Sequence, residues 1–286
     1  MSVKASGMWQ RRRSNAPGMA AGSALGRELP RSSLGTAVAV AITAYALCDL
    51  VHEVAGHGMA ALLVPGVRVV SLSTVALQTT GDSRIVAAAG SMANVLIGAV
   101  ALGLFHRLGR FSPVAYFFWL FGSLNLLNGS GYPLYSAVLG SGDWEVVVRG
   151  LQPTWAWRIA LGIVGAAAYV GVVILSAKGF ARAVERNLVA GAEISRLVFP
   201  AYVAGGALLL VAAAFNPISP RLILVSGLSS GFAAMAGLTF VPRMVENRTV
   251  GIGAGKGVVS QNPGWVLAGL VVGTFFVAIV GPGIRF

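Results

Sequence analysis

Charged residues cut the chain into long apolar stretches: Ser32–Cys48, Ile85–Phe105, Phe111–Gly142, Ile159–Ala177, Leu197–Pro220, Leu222–Pro242 and Gly257–Ile284. A helix that crosses a bilayer needs about 20 predominantly apolar residues, and most of these stretches reach that length. The first is short, but it continues through an ionisable cluster into Val54–Val67, so one helix from about Leu34 to Leu63 is expected. The stretch after Phe111 predicts a span to about Asn128, then a bend at Gly129–Ser130–Gly131 and a loop. Between the first two spans, Val67–Leu77 alternates apolar and small polar residues, which predicts a short β-hairpin at the membrane face. The mixed charges of Lys178–Glu193 predict a helix lying at the interface. The expected fold is an all-α polytopic membrane protein with about seven transmembrane helices and a short β-hairpin after the first.

Composition agrees. Of 286 residues, 56% are hydrophobic and only 10% charged, against about 25% charged in soluble domains. The single Cys48 excludes a disulfide scaffold. A net charge of +12 raises the question of nucleic acid, but the bases are scattered between apolar runs and form no basic domain, so no nucleic-acid partner is expected. Their distribution sets topology instead. With the N-terminus in the cytoplasm, Lys4, Arg11, Arg12, Arg13, Arg27, Arg31, Arg107, Arg110, Lys178, Arg182, Arg186, Arg196, Arg243, Arg248 and Lys256 lie inside. Only Arg68, Arg84, Arg149, Arg158, Arg221 and Arg285 lie outside. Residues 1–31 read as a disordered basic tail, 32–150 as a membrane core holding the polar motifs, and 151–286 as additional transmembrane helices. No internal repeat is visible, which counts against an inverted-repeat transporter.

The informative cluster is Cys48, Asp49, His52, Glu53 and His57, inside the first span. Ionisable groups at membrane depth are costly and mark functional sites. His52-Glu53-Val54-Ala55-Gly56-His57 is one residue longer than the zincin pattern His-Glu-x-x-His. Residues i and i+4 of a helix lie about 40° apart around the axis, but i and i+5 about 140° apart. A π-bulge at Gly56 would realign the two histidines. A regular helix would instead place Asp49, Glu53 and His57 on one face, where they could hold a metal or a proton. Both arrangements are open from the residues alone.

Taken with two later motifs, the chain resembles the site-2 protease family of intramembrane zinc metalloproteases. The likeness rests on three segments in order: the His-Glu-x-x-x-His variant with Gly58-Met59-Ala60-Ala61-Leu62-Leu63; Ala89-Gly90-Ser91-Met92-Ala93-Asn94, with Ser91 where the family has Pro; and Asn125-Leu126-Leu127-Asn128, Tyr132-Pro133 and Gly142-Asp143-Trp144. It covers roughly residues 40–145. The resemblance implies Zn2+ held by His52, His57 and Asp143, with Glu53 as the catalytic base. It also implies that Asn125 and Asn128 contact an unwound substrate segment, while Asn94 reads as a helix–helix hydrogen-bonding residue. The implied partner is a membrane-protein or peptide substrate, and the implied location a bacterial inner (plasma) membrane. Two other classes stay open: an inactive relative serving as a client-binding scaffold, and a proton- or metal-coupled carrier using Asp49, Glu53 and His57.

Weaker signals lie elsewhere. Gly251–Gly257 is glycine-rich but lacks the Ser or Thr that follows the Lys of a P-loop, and reads as a cytoplasmic loop. Gly227/Gly231 and Gly269/Gly273 would permit close helix packing. Cys48 reads as a buried inert thiol.

Overall fold

The computed structural model describes residues 31–216, 223–252 and 255–286. Nearly all of the predicted basic tail, and Gly253–Ala254 of the glycine-rich loop, lie outside them. Helix α1 runs over Leu34–Leu63 as one continuous rod, α-helical to Leu50 and π-helical over Val51–Gly58. A hairpin of β1 (Arg68–Leu72) and β2 (Leu77–Thr80) follows. Then come α2 (Arg84–Arg107), α3 (Pro113–Leu139), short α4 (Asp143–Val148), α5 (Thr154–Glu185) and α6 (Glu193–Ala214). Helix α7 joins a π-helical stretch Ile223–Ala233, a 3-10 turn Ala236–Phe240 and an α-helical end Val241–Arg248. Helix α8 (Pro263–Val280) leads to strand β3 (Ile284–Arg285). Six of these helices are long and apolar enough to cross a bilayer. The less apolar α3 is packed between α2 and α5 and adds a seventh column.

Local chemistry starts the helices where the charge pattern stops. Ser33, Ser83, Ser112 and Asn262 are N-caps whose side chains accept from the N–H of Thr36, Val86, Ala115 and Trp265. Each such cap contributes about 1 kcal/mol. Pro113 and Pro263 sit in the first turns, where the missing N–H costs nothing.

The ends of α1 and α8 are tied together. Ser33 N donates to Val259 O at 2.8 Å and Asn262 N to Thr36 Oγ1 at 3.0 Å. Glu193 accepts from Ser32 N at 2.9 Å, adding the start of α6 to the same knot. The opposite end carries the sheet, of strand order β2-β1-β3, in which the C-terminal strand pairs antiparallel with β1. The predicted hairpin is therefore present and gains a third strand.

Two sequence expectations are corrected. Gly129–Ser130–Gly131 is no bend: α3 stays helical through it and through Pro133 to Leu139. The glycine serves packing. A Cβ at Gly129 would come within 2.6 Å of Ser91 O, so its absence lets α3 lie directly on α2. Nor is Lys178–Glu193 one separate helix. Its first half is the last two turns of α5, and the chain then turns into α6. The pairs Gly227/Gly231 and Gly269/Gly273 do face close neighbours, on α6 and mainly α1 respectively.

Candidate metal centre

The π-helical stretch decides the first question left open by the sequence. By absorbing one extra residue per turn it brings His52 and His57 to the same face, their Nε2 atoms 3.1 Å apart. A glycine crossing makes room: a Cβ at Gly56 would meet Gly90 Cα at 2.5 Å, and one at Gly90 would meet His57 Nε2 at 2.5 Å. Asp143 arrives from the other side, at the start of α4, with Oδ2 3.0 Å from His52 Nε2 and 3.2 Å from His57 Nε2. The alternative face is not assembled. Among the described residues, the group of His, Cys, Asp and Glu whose donor atoms could share one ion is His52, His57 and Asp143. Asp49 stands outside it, with a buried Oδ2 that has no hydrogen-bond partner, and Glu53 Oε2 instead accepts from Leu77 N at 2.7 Å, joining α1 to the start of β2.

Hydrogen bonding on the far sides of both rings fixes their protons. His57 Nδ1 lies 2.7 Å from Val86 O, a carbonyl that only accepts, so Nδ1 carries the hydrogen. His52 Nδ1 lies 2.7 Å from Asn94 Oδ1. That amide cannot be turned round, because Asn94 Nδ2 donates to Cys48 O at 3.1 Å and to Asn125 Oδ1 at 2.8 Å. Asn125 is held in turn by donating to Phe121 O at 2.8 Å. With both Nδ1 atoms protonated, the rings in their neutral form turn two bare Nε2 lone pairs, and the carboxylate an oxygen, toward one another within 3.2 Å. Three mutually repelling acceptors at this spacing call for a cation or for two protons. Their edges of 3.0–3.2 Å are close to the roughly 3.3 Å edge of a tetrahedron with bonds of about 2.05 Å. The residues fit a metal ion of tetrahedral preference, with one position left open.

Asp143 is positioned by turn chemistry and by α4. Gly140 and Gly142 adopt φ of 62° and 86°, the left-handed region that glycine enters without a Cβ penalty. Trp144 Nε1 donates to Ser91 Oγ at 3.1 Å, and Arg149 bridges Asp82 at 2.6 Å and Glu145 at 2.8 Å. The Asp143 side chain is 20% exposed. Burial alone would raise its pKa, but hydrogen bonds and charge from the protonated forms of His52 and His57 hold it well below the usual carboxylate range.

A cavity of about 160 Å³ opens onto the group, lined by Glu53, His57 and Asp143 with Val75–Leu77 of the hairpin and Tyr132. Tyr132 stacks on His52 with ring centroids 4.6 Å apart. Asn125 is fully buried among the helices, its amide engaged as described. Asn128 borders a second cavity, and its Oδ1 has no partner. Sequence reasoning read Asn94 as a packing residue. It does bridge three helices, and it also orients His52. Its place four residues after the family-like Ala89-Gly90 was the available signal. The hydrogen bond of Trp144 to Ser91 had no signal in the sequence.

Fold and site together define a multi-pass membrane protein with a His–His–Asp group, its histidines buried and its aspartate partly so, that could hold a metal ion. Searches for relatives are negative throughout: no protein-family model, curated protein or solved structure matches the chain.

Proposed function

We propose that the chain is a zinc-dependent intramembrane peptidase of the site-2 type, hydrolysing a peptide bond in or beside a transmembrane segment. One observation carries the reading: two imidazoles with locked Nδ1–H groups and one carboxylate converge, and Glu53 lines the same cavity. His52, His57 and Asp143 would hold the ion, and their two-nitrogen, one-oxygen donor set suits Zn2+. Bound there, zinc would supply Lewis acidity toward a carbonyl oxygen and acidify a water molecule. Glu53 takes the proton from the attacking water and passes it to the leaving amine. The N–H of Leu77 holds one of its carboxylate oxygens and so fixes the side chain at the cavity wall. Asn94, backed by Asn125, keeps His52 in the tautomer that presents Nε2.

The π-helical turn supports activity in spite of the lengthened motif, since it gives the two histidines the spacing that a strict motif gives on a regular helix. Taking the base-rich end, that of the α1–α6–α8 knot, as cytoplasmic places the centre toward the opposite leaflet. Cleavage of a transmembrane substrate by the purified, reconstituted chain tests the reading. Glu53→Gln should keep its metal yet lose about 10²–10⁴-fold in rate. Equal cleavage by that variant would remove Glu53 from the mechanism.

A further inference from the structure

A larger cavity, about 420 Å³, lies between the C-terminal half of α3 and α7, with Tyr169 of α5 at its floor. Its wall includes Leu134, Val138 and Phe240 beside the small residues Ser229, Ser230 and Ala233, and no lining side chain carries a charge. The floor is built firmly: Tyr169 Oη donates to Ala234 O at 2.9 Å and accepts from Gly237 N at 2.7 Å. Two connections tie this cavity to the metal centre. Tyr132, whose ring stacks on His52, lines both spaces. Ser226, also in its wall, reaches Val75 of the hairpin turn, which borders the smaller space. Asn128, largely buried and with an unpartnered Oδ1, lines the larger cavity as well.

We propose that this cavity is a specificity subsite taking one large apolar side chain, such as Phe, of the peptide whose backbone lies across the metal centre. The proposal rests on the peptidase reading for its occupant. A space of this volume is in the range of about 300–1,000 Å³ that binds organic groups through apolar walls. Its uncharged wall refuses Lys, Arg, Asp and Glu, because no partner there would offset their desolvation. An adjacent backbone gives the side chain its route in, past Tyr132.

Thiol protection tests the subsite separately from catalysis. Cys48 is the chain's single cysteine and is buried, so the full chain offers little background. Ser230→Cys, and Ala233→Cys as a second position, are made in the Glu53→Gln background and alkylated with N-ethylmaleimide in detergent. The probes are two Ala-rich membrane peptides of about 25 residues, identical except that one carries Phe and the other Ala after a central Asn-Gly pair. The Phe peptide should slow alkylation at least about tenfold more than the Ala peptide, the discrimination an apolar pocket gives. Equal protection by both, or none by either, overturns the subsite. Cleavage of the same peptides with Glu53 intact is read in parallel. Differential protection without cleavage keeps the subsite and sinks the peptidase reading; cleavage without differential protection does the reverse.

Discussion

Asn94 joins two kinds of chemistry that the sequence keeps apart. Its amide bonds Cys48 O, Asn125 and His52 at once, so the same residue holds α1, α2 and α3 together and sets the proton on a ring of the candidate metal centre. Replacing it with Ala should lower zinc affinity about 10–100-fold, the usual cost of removing the partner of a ligating His, with helicity retained; competition with a chromogenic chelator measures it. Gly90 acts through space rather than polarity. In Gly90→Ala the added methyl would lie 2.5 Å from His57 Nε2 and 2.8 Å from His52 Cε1, so metal binding should fall more steeply than in Asn94→Ala. His52, Glu53 and His57 were legible because ionisable groups are rare inside apolar spans. Asp143 was reached only through the family likeness. The ring stacking of Tyr132 was not legible, because it depends on α3 staying helical past its glycines.

At the scale of elements, the π-helical turn of α1 is the feature that reconciles a six-residue motif with one group that could hold a metal ion. A π-bulge is a one-residue insertion into a regular helix. Deleting Ala55 should therefore restore the regular helix, leave the flanking turns in place and retain zinc. Inserting one Ala after Val54 should abolish binding, because no single bulge realigns the rings. Metal analysis of the two variants checks both expectations; zinc lost from the deletion as completely as from His52→Ala would mean the bulge does something other than alignment. The span lengths, the hairpin and the continuity of α1 through its polar cluster were readable from periodicity and charge. The course of α3 was not. Local turn preference at Gly129–Gly131 is outweighed by close packing against Ser91 and Val95 of α2, a tertiary effect invisible to any local pattern.

For the whole molecule, the centre fastens parts distant in sequence: α1, the start of α4 and, through Glu53 and Leu77, the hairpin that also carries the C-terminal strand. A ligand that binds only the folded state stabilises it, by about 2.7 kcal/mol at a hundred times its dissociation constant. Stripping metal with a chelator should thus lower the Tm of the wild type and leave that of His52→Ala unchanged. The pH dependence has a definite sign. Asp143, held well below the usual range by the two imidazoles against the effect of burial, stays ionised in mild acid. Protons then compete for the two Nε2 atoms, so occupancy should fall as pH falls, with about two protons displacing each ion.

The most direct measurement is metal per chain after purification without chelators, for the wild type, His52→Ala, His57→Ala, Asp143→Ala and Asp49→Asn. Near-stoichiometric zinc in the wild type and in Asp49→Asn, lost from the other three, is the predicted result. A wild type without metal, or an Asp143→Ala variant that keeps it while Asp49→Asn does not, would contradict the His52–His57–Asp143 centre.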